Sequence, residues 1–84
     1  MITVEEVKQA AARISPYIRQ TPLVRARCTK DTPFPDGELL LKLECLQVTG
    51  SSKARGATNK LLSLTQEEVQ RGIVTASGGN HGLA

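Results

Sequence analysis

Residues 38 to 82 alternate apolar runs with a helical pattern, and this alternation constrains the fold more than any other feature of the sequence. Glu38 to Glu44 is an apolar-dense run that suits a buried strand of about seven residues. Lys53 follows residues typical of loops and N-caps and opens a helix with an apolar stripe. Ile73 to Ala76 is a second short strand, and Ser77 to Gly82 is a glycine-rich loop. This order predicts a parallel α/β sheet.

Caps and turn-forming residues divide the rest of the chain. Two Thr-x-x-Glu patterns predict helix starts as capping boxes: Thr3 with Glu6, and Thr65 with Glu68. The apolar spacing of the first helix runs to Ile14, and Arg71 with Gly72 ends the second. We expect a short extended segment at Leu23 to Arg27 and a loop at Asp31 to Gly37.

The size and composition of the chain limit what it does alone. It has 84 residues with one Tyr, one Phe and no Trp, which is a small supply of large core side chains. A chain of this size buries only about 60% of the surface that its unfolded form exposes. The net charge of +3 suits an anionic ligand. The basic residues are scattered with no aromatic residues between them, so we predict no nucleic-acid partner.

The cysteines and the hydropathy of the chain further limit the class of protein to which it can belong. Cys28 and Cys45 form no CxxC or Cys/His cluster, so we expect reduced thiols, with no disulfide framework and no metal site. The N-terminus carries early acids and lacks the basic and apolar regions of a signal peptide. The longest apolar run, Leu39 to Leu41, is far below the roughly 18 residues of a membrane span. We therefore expect a soluble cytoplasmic protein without a membrane partner.

Lys53 is the first candidate for chemistry, because it opens a helix behind Gly50, Ser51 and Ser52. The positive end of the helix dipole and burial both disfavour the charged amine, and a neutral amine attacks carbonyl groups. From spacing alone, an exposed lysine that happens to begin a helix is the more frequent case. A P-loop does not fit, since Ser52 precedes the lysine and Ala54 follows it.

The loop from Ser77 to Gly82 is the second candidate. Its three glycines let the backbone turn tightly, so that N–H groups point into an anion-binding concavity. Ser77, Asn80 and His81 add side-chain donors, and an amino-acid carboxylate or a phosphate fits such a site. A strand-to-helix turn that uses glycine only for its geometry is an equal alternative.

Taken in order, the motifs of this chain resemble the N-terminal part of fold-type II pyridoxal-phosphate enzymes. The similarity is greatest to the threonine/serine dehydratases, with serine racemase as their near relative. The motifs that carry it are Arg19 to Leu23, Leu41 to Glu44, Gln47 to Ala57 and Thr75 to Gly82. The resemblance implies a parallel-sheet, three-layer α/β architecture that is incomplete in this chain.

The resemblance also implies roles for individual residues. Lys53 holds pyridoxal 5'-phosphate as a Schiff base and later acts as the base on the substrate α-carbon. Asn80 hydrogen-bonds the pyridoxal 3'-oxygen. The substrate carboxylate is received by the loop residues Ser77, Gly78, Gly79, Asn80 and His81. The implied reaction is α,β-elimination of L-serine or L-threonine to a 2-oxo acid and ammonia.

Three departures from the family pattern bear on the reaction. Ser52 stands where the family usually has Phe, which predicts looser packing around the lysine. Gly78 stands where serine racemase has the serine that is its second base and where dehydratases usually have alanine. Since glycine exchanges no proton, elimination is favoured over racemisation. In cysteine synthases an Asn-Pro type of sequence leads to the lysine, whereas in this chain Val48, Thr49 and Gly50 lead to Lys53. We therefore rank β-replacement below elimination as the implied reaction.

Because this chain is short, its resemblance to the family does not by itself imply that it is active. Family members are several times longer, and their loop that grips the cofactor phosphate lies beyond residue 84. We therefore expect residues 1 to 84 to be a single incomplete N-terminal segment, inactive by itself, and a full-length form to be compatible with a homo-oligomer. The alternatives are a related enzyme, either a serine racemase or a β-replacement enzyme, a truncated product without function, and a small basic module that binds anions or nucleic acid.

Overall fold

A computed structural model describes residues 1–27 and 37–84. The described helices and strands are α1 (Val4–Ile14), β1 (Leu23–Arg25), β2 (Leu40–Lys42), α2 (Lys53–Leu62), α3 (Gln66–Arg71) and α4 (Asn80–Leu83). Single turns of 3-10 helix lie at Glu44–Leu46 and Val48–Gly50. Apart from Gly37, the loop predicted at residues 31 to 37 lies outside the described residues, as does Cys28. Cys45 is an exposed free thiol.

Both predicted capping boxes are confirmed. Thr3 Oγ1 accepts from the Glu6 N–H at 3.2 Å, and the Glu6 carboxylate accepts from the Thr3 N–H at 3.1 Å. Thr65 and Glu68 repeat this exchange at 3.2 and 3.0 Å, and the Thr65 N–H that Glu68 accepts holds the pKa of that carboxyl below its ordinary value. Helix α3 ends as predicted at Gly72, whose φ of 79° suits glycine.

The sheet differs from the prediction. Strand β1 confirms part of the extended segment, but it pairs with β2 in an antiparallel ladder that places Val24 opposite Leu41. The predicted buried strand over residues 38 to 44 is wrong in length and burial, because β2 has three residues and all are exposed. Residues 73 to 76 are also not a strand here. A parallel ladder needs a second strand running the same way, and the described residues supply none.

The core lies where α1 crosses α2. Ile14 of α1 and Ala54 of α2 are its buried apolar residues, and Arg13 Nη1 donates to Asn59 Oδ1 across the two helices at 2.6 Å. The accessible surface is 7080 Å² for a mass of 9.0 kDa. A compact folded chain of that mass exposes about 4,900 Å². Much of the apolar surface therefore lacks cover within the chain.

A membrane span requires a long apolar helix, and no helix in the described part of the chain meets that requirement.

Candidate active site

Lys53 is the first residue of α2, as the sequence predicts. Its backbone N–H is 3.4 Å from Ser51 Oγ, which is long for a hydrogen bond and leaves the helix start weakly capped by this group. The Lys53 side chain is exposed. The burial expected for this side chain is therefore not found. The structure provides an accessible primary amine at a helix N-terminus.

The turn that precedes Lys53 holds a strained backbone. Thr49 has φ 65° and ψ 0°, and Gly50 has φ 84°. The left-handed region suits glycine but costs about 1–2 kcal/mol for other residues, and a β-branched residue there is an outlier. The Gly50 N–H donates to the Gln47 carbonyl oxygen at 2.8 Å and closes the turn. Something outside the turn must therefore hold Thr49 in this conformation.

Gln47 ties this turn to the segment that precedes β1. Its side chain is buried, with the residue 2% exposed. The carboxamide Oε1 accepts from the Arg19 N–H at 2.7 Å and from the Val48 N–H at 2.9 Å, and Nε2 donates to the Arg19 carbonyl oxygen at 2.8 Å. The two bonds to Arg19 join parts of the chain that are 28 residues apart. The side chain of Gln47 therefore holds the turn before Lys53 to the segment before β1.

Glu44 fixes the body of α2 to the same segment. Its carboxylate accepts from Arg55 Nε, from Arg55 Nη2 at 3.2 Å and from Thr21 Oγ1 at 2.6 Å. The Glu44 side chain is only 16% exposed. The hydrogen bonds from Arg55 and then from Thr21 lower the pKa of Glu44 to about 2. Lys42 Nζ completes the group by donating to the Thr21 carbonyl oxygen.

This pKa sets a pH dependence. Because the folded carboxyl has a pKa of about 2 against an ordinary value of 4.5, Glu44 stabilises the fold above pH 4.5, and that contribution is lost as the pH falls from 4.5 toward 2. We expect Glu44→Gln, in the full-length protein that carries residues 1–84, to flatten the fall of the thermal midpoint across this window. Glu67→Gln, which removes an exposed carboxylate paired with Arg71, is the matched control. Superimposable pH profiles for wild type and Glu44→Gln would contradict this assignment.

The glycine-rich loop leads into α4, which begins at Asn80. The Gly79 N–H donates to Ser77 Oγ at 3.1 Å and shapes the loop locally. Helix α4 packs against α2 and against the turn Val48–Gly50. The five predicted loop residues are all exposed: Ser77, Gly78, Gly79, Asn80 and His81. The fold therefore brings the loop region and the turn before Lys53 to one place, although they are distant in sequence.

The space around the loop glycines is open. A Cβ at Gly78 or Gly79 would meet no atom within 4 Å, whereas one at Gly82 would lie 3.5 Å from Ser77 Cβ. A cleft of about 340 Å³ adjoins this region between α2, residues 73 to 75 and α4. Its walls include Ala57, Leu61, Ile73, Val74 and His81. The loop thus has room for a side chain or a ligand.

Comparison with known proteins decides the family. The family model described as "Pyridoxal-phosphate dependent enzyme" matches residues 14–84. The chain belongs to this family. The catabolic L-threonine dehydratase of Staphylococcus aureus is 42% identical over 81 residues, covering 96% of this chain and 23% of that protein. The serine racemase of Dictyostelium discoideum is 43% identical over 83 residues, covering 99% of this chain and 25% of that protein.

A solved structure agrees with the family assignment. Maize serine racemase superimposes with a TM-score of 0.76 and 38% sequence identity, covering 93% of this chain and 24% of that one. The match confirms the predicted fold class, the N-terminal portion of a fold-type II α/β enzyme. The chain spans about a quarter of the length of the relatives it matches. Pyridoxal 5'-phosphate, the predicted cofactor, is the cofactor of this family.

The residues present fit part of this cofactor. A primary amine such as the exposed one of Lys53 reacts with an aldehyde, and a carboxamide such as the exposed one of Asn80 can donate to an oxygen substituent like that at the cofactor's 3'-position. Ser77 and His81 add donors near the open space at Gly78. These groups suit a substrate carboxylate and the part of the cofactor that carries the aldehyde. The fit is limited to that part of the cofactor.

Three residues that support this site were not recognised from the sequence. Glu44, Gln47 and Arg55 lie inside the motifs that carry the resemblance, but no role was inferred for them. Glu44 did carry a signal, because a carboxylate at the end of an apolar run needs a cationic partner when it is partly buried. Nothing in the local sequence indicates the burial of Gln47, since its partners lie 28 residues away.

Proposed function

We propose that residues 1–84 are the N-terminal segment, incomplete and inactive by itself, of a pyridoxal-phosphate-dependent ammonia-lyase acting on L-serine or L-threonine. The observation that carries this proposal is the packing of α4 against the turn before Lys53. That packing puts an accessible amine and a glycine-rich loop of donors in one region. Family membership and the threonine dehydratase and serine racemase relatives support the same reading. A cytoplasmic location belongs to this proposal.

The residues of this chain divide the chemistry between them. Pyridoxal phosphate, when bound, supplies the electron sink for a carbanion at the substrate α-carbon. Lys53 would hold the cofactor through its Nζ, and the same Nζ, once the substrate amine has replaced it, would take the α-proton. Asn80 orients the cofactor ring, and the donors of Ser77 to His81 hold the substrate carboxylate. The α-proton and the β-hydroxyl leave as water, and the resulting enamine takes up water to give a 2-oxo acid and ammonia.

Gly78 favours elimination over racemisation. Racemisation needs a proton donor on the face of the α-carbon opposite Lys53, and glycine carries no such group. Elimination needs no second donor on that face. The site is nevertheless open, since a Cβ at Gly78 meets no atom within 4 Å and the φ of this residue is not left-handed. A Cβ at this position therefore clashes with no described residue of this chain.

This difference predicts the products. We expect the full-length protein to form pyruvate or 2-oxobutyrate and ammonia, with D-amino acid at trace level. Gly78→Ser adds a proton donor and is expected to raise the ratio of racemisation to elimination, up to the roughly 10²–10⁴-fold that general acid-base help contributes. Gly78→Ala, which adds the Cβ without a donor, is the matched control. The measurement combines chiral chromatography with a keto-acid assay.

Two results would overturn, respectively, the assignment of elimination and the role given to position 78. One is substantial D-serine from the protein with Gly78. The other is an equal product ratio for Gly78→Ser and Gly78→Ala. Serine racemase is the second candidate, because serine racemases match this chain at 43% and 38% identity, as closely as threonine dehydratase does at 42%.

A further inference from the structure

We infer that Gln47 is a positioning residue for Lys53, because its buried carboxamide clamps the strained turn Val48–Gly50 and so sets where the lysine stands. This role rests on the proposed function in one respect, namely that Lys53 is the residue that holds the cofactor. The geometry behind it is independent of the reaction. It consists of the burial of Gln47, its hydrogen bonds and the backbone conformation of Thr49.

Gln47 bonds to both ends of the turn, to one through its side chain and to the other through its backbone. Its side-chain Oε1 accepts from the Val48 N–H at 2.9 Å, at the start of the turn. Its backbone carbonyl oxygen accepts from the Gly50 N–H at 2.8 Å, at the end of the turn. Thr49 lies between these bonds with φ 65°. A threonine in this region relaxes unless its neighbours hold it.

The same carboxamide anchors the turn to a second part of the chain. Oε1 also accepts from the Arg19 N–H at 2.7 Å, and Nε2 donates to the Arg19 carbonyl oxygen at 2.8 Å. Arg19 Nη1 donates to the Leu46 carbonyl oxygen at 3.2 Å, beside Gln47. With Gln47 2% exposed, water does not readily replace its carboxamide. An apolar side chain there leaves partly buried backbone groups of Arg19 and Val48 without this partner.

Lys53 follows this turn within three residues, so its position depends on the conformation at residues 48 to 50. The body of α2 is held separately, by Arg55 on Glu44. Loss of the Gln47 clamp therefore leaves the helix in place and changes the fraction of molecules in which the turn is correctly formed. Apparent cofactor affinity falls in proportion to that fraction. The expected effect is on cofactor binding and local protection rather than on the whole fold.

The test compares four forms of the full-length protein: wild type, Gln47→Leu, Gln47→Glu and the control Gln70→Leu. Gln70 is an exposed glutamine of α3. One readout is the dissociation constant for pyridoxal phosphate, measured by titration. The other is hydrogen exchange at the backbone amides of Arg19 and Val48. For Gln47→Leu we expect at least about 10-fold weaker cofactor binding and faster exchange at these two amides, with Gln70→Leu unchanged.

Gln47→Glu gives a test within one variant. A carboxylate keeps the acceptor for Arg19 and Val48 but loses the donor for the Arg19 carbonyl oxygen. Burial at this position raises the pKa of a carboxyl, so that more of it carries an O–H donor at pH 5 than at pH 8, where the carboxylate has none. Relative to wild type at the same pH, we expect this variant to bind the cofactor and protect the Arg19 amide better at pH 5 than at pH 8. If Gln47→Leu does not fold, the pH dependence of Gln47→Glu decides whether Gln47 positions Lys53.

The two readouts separate the inference from the proposed function. If the wild type takes up no pyridoxal phosphate, the proposed function fails, and amide exchange alone decides the role of Gln47. If the wild type binds the cofactor but Gln47→Leu binds it equally well, the inference is overturned. It is also overturned if Gln47→Glu behaves alike at both pH values relative to wild type.

Discussion

The Lys53→Ala variant of the full-length protein is expected to form 2-oxo acid from L-serine or L-threonine at least about 10²–10⁴-fold more slowly than wild type. On the proposed function, the variant lacks the amine that takes the α-proton and holds the cofactor. Stability is expected to change by less than about 0.5 kcal/mol, because the side chain is exposed and alanine is a good helix former. Rates of 2-oxo acid and ammonia formation, read beside the thermal midpoint, measure both effects.

Lys8→Ala is the matched control for this prediction. Lys8 is an exposed lysine of α1, so its removal changes the charge equally without touching the site. The control is expected to keep wild-type activity. Turnover by Lys53→Ala at a rate close to wild type, or an equal loss in Lys8→Ala, would refute the role of Lys53.

Residues 1–84 produced alone are expected to lack a cooperative thermal transition and to aggregate. The chain exposes roughly 2,200 Å² more surface than a compact protein of its mass, 7080 Å² against about 4,900 Å². Large apolar side chains such as Leu23, Val69 and Ile73 are each about 60% exposed. Uncovered apolar surface of this extent favours association over a stable monomer.

Circular dichroism during heating and size-exclusion chromatography check this expectation. The full-length protein is the control, and we expect it to melt cooperatively because its remaining chain covers these faces. A sharp thermal transition together with a single monomeric elution peak from residues 1–84 would contradict it. The same preparation is expected to lose pyridoxal phosphate on dialysis.

Local structure was predictable from the sequence where local interactions determine it. The capping boxes at Thr3 and Thr65 depend on contacts three residues apart, and both were confirmed. The end of α3 at Gly72 follows from the left-handed preference of glycine. The start of α2 at Lys53 was also predicted, although Ser52 makes no side-chain capping bond there. Such signals need no knowledge of the rest of the molecule.

The sheet was not predictable in the same way. An apolar run such as Glu38 to Glu44 indicates a strand, but its length, direction and burial depend on what lies beside it. In this chain β2 has only β1 as a neighbour in the described residues, so the ladder is short and antiparallel. The apolar residues 73 to 76 have no such neighbour and form no strand.

The candidate site, like the fold, was predictable only in part. Lys53 and the residues of the glycine-rich loop were recognised because they lie in short motifs that resemble a family. The supports of the site were not recognised, since Gln47 bonds to Arg19 and Glu44 to Thr21 and Arg55 across long stretches of chain. The sequence predicts which residues react, and the fold shows which side chains hold the segments that carry them.

The most direct test of the central claim is the location of the bound cofactor. The full-length protein is incubated with pyridoxal phosphate, reduced with borohydride and digested, and the modified peptide is identified by mass spectrometry. The account predicts one modified peptide, with the added mass on Lys53. Modification confined to another lysine, such as Lys42 or Lys60, or no modification of the folded protein, would contradict it.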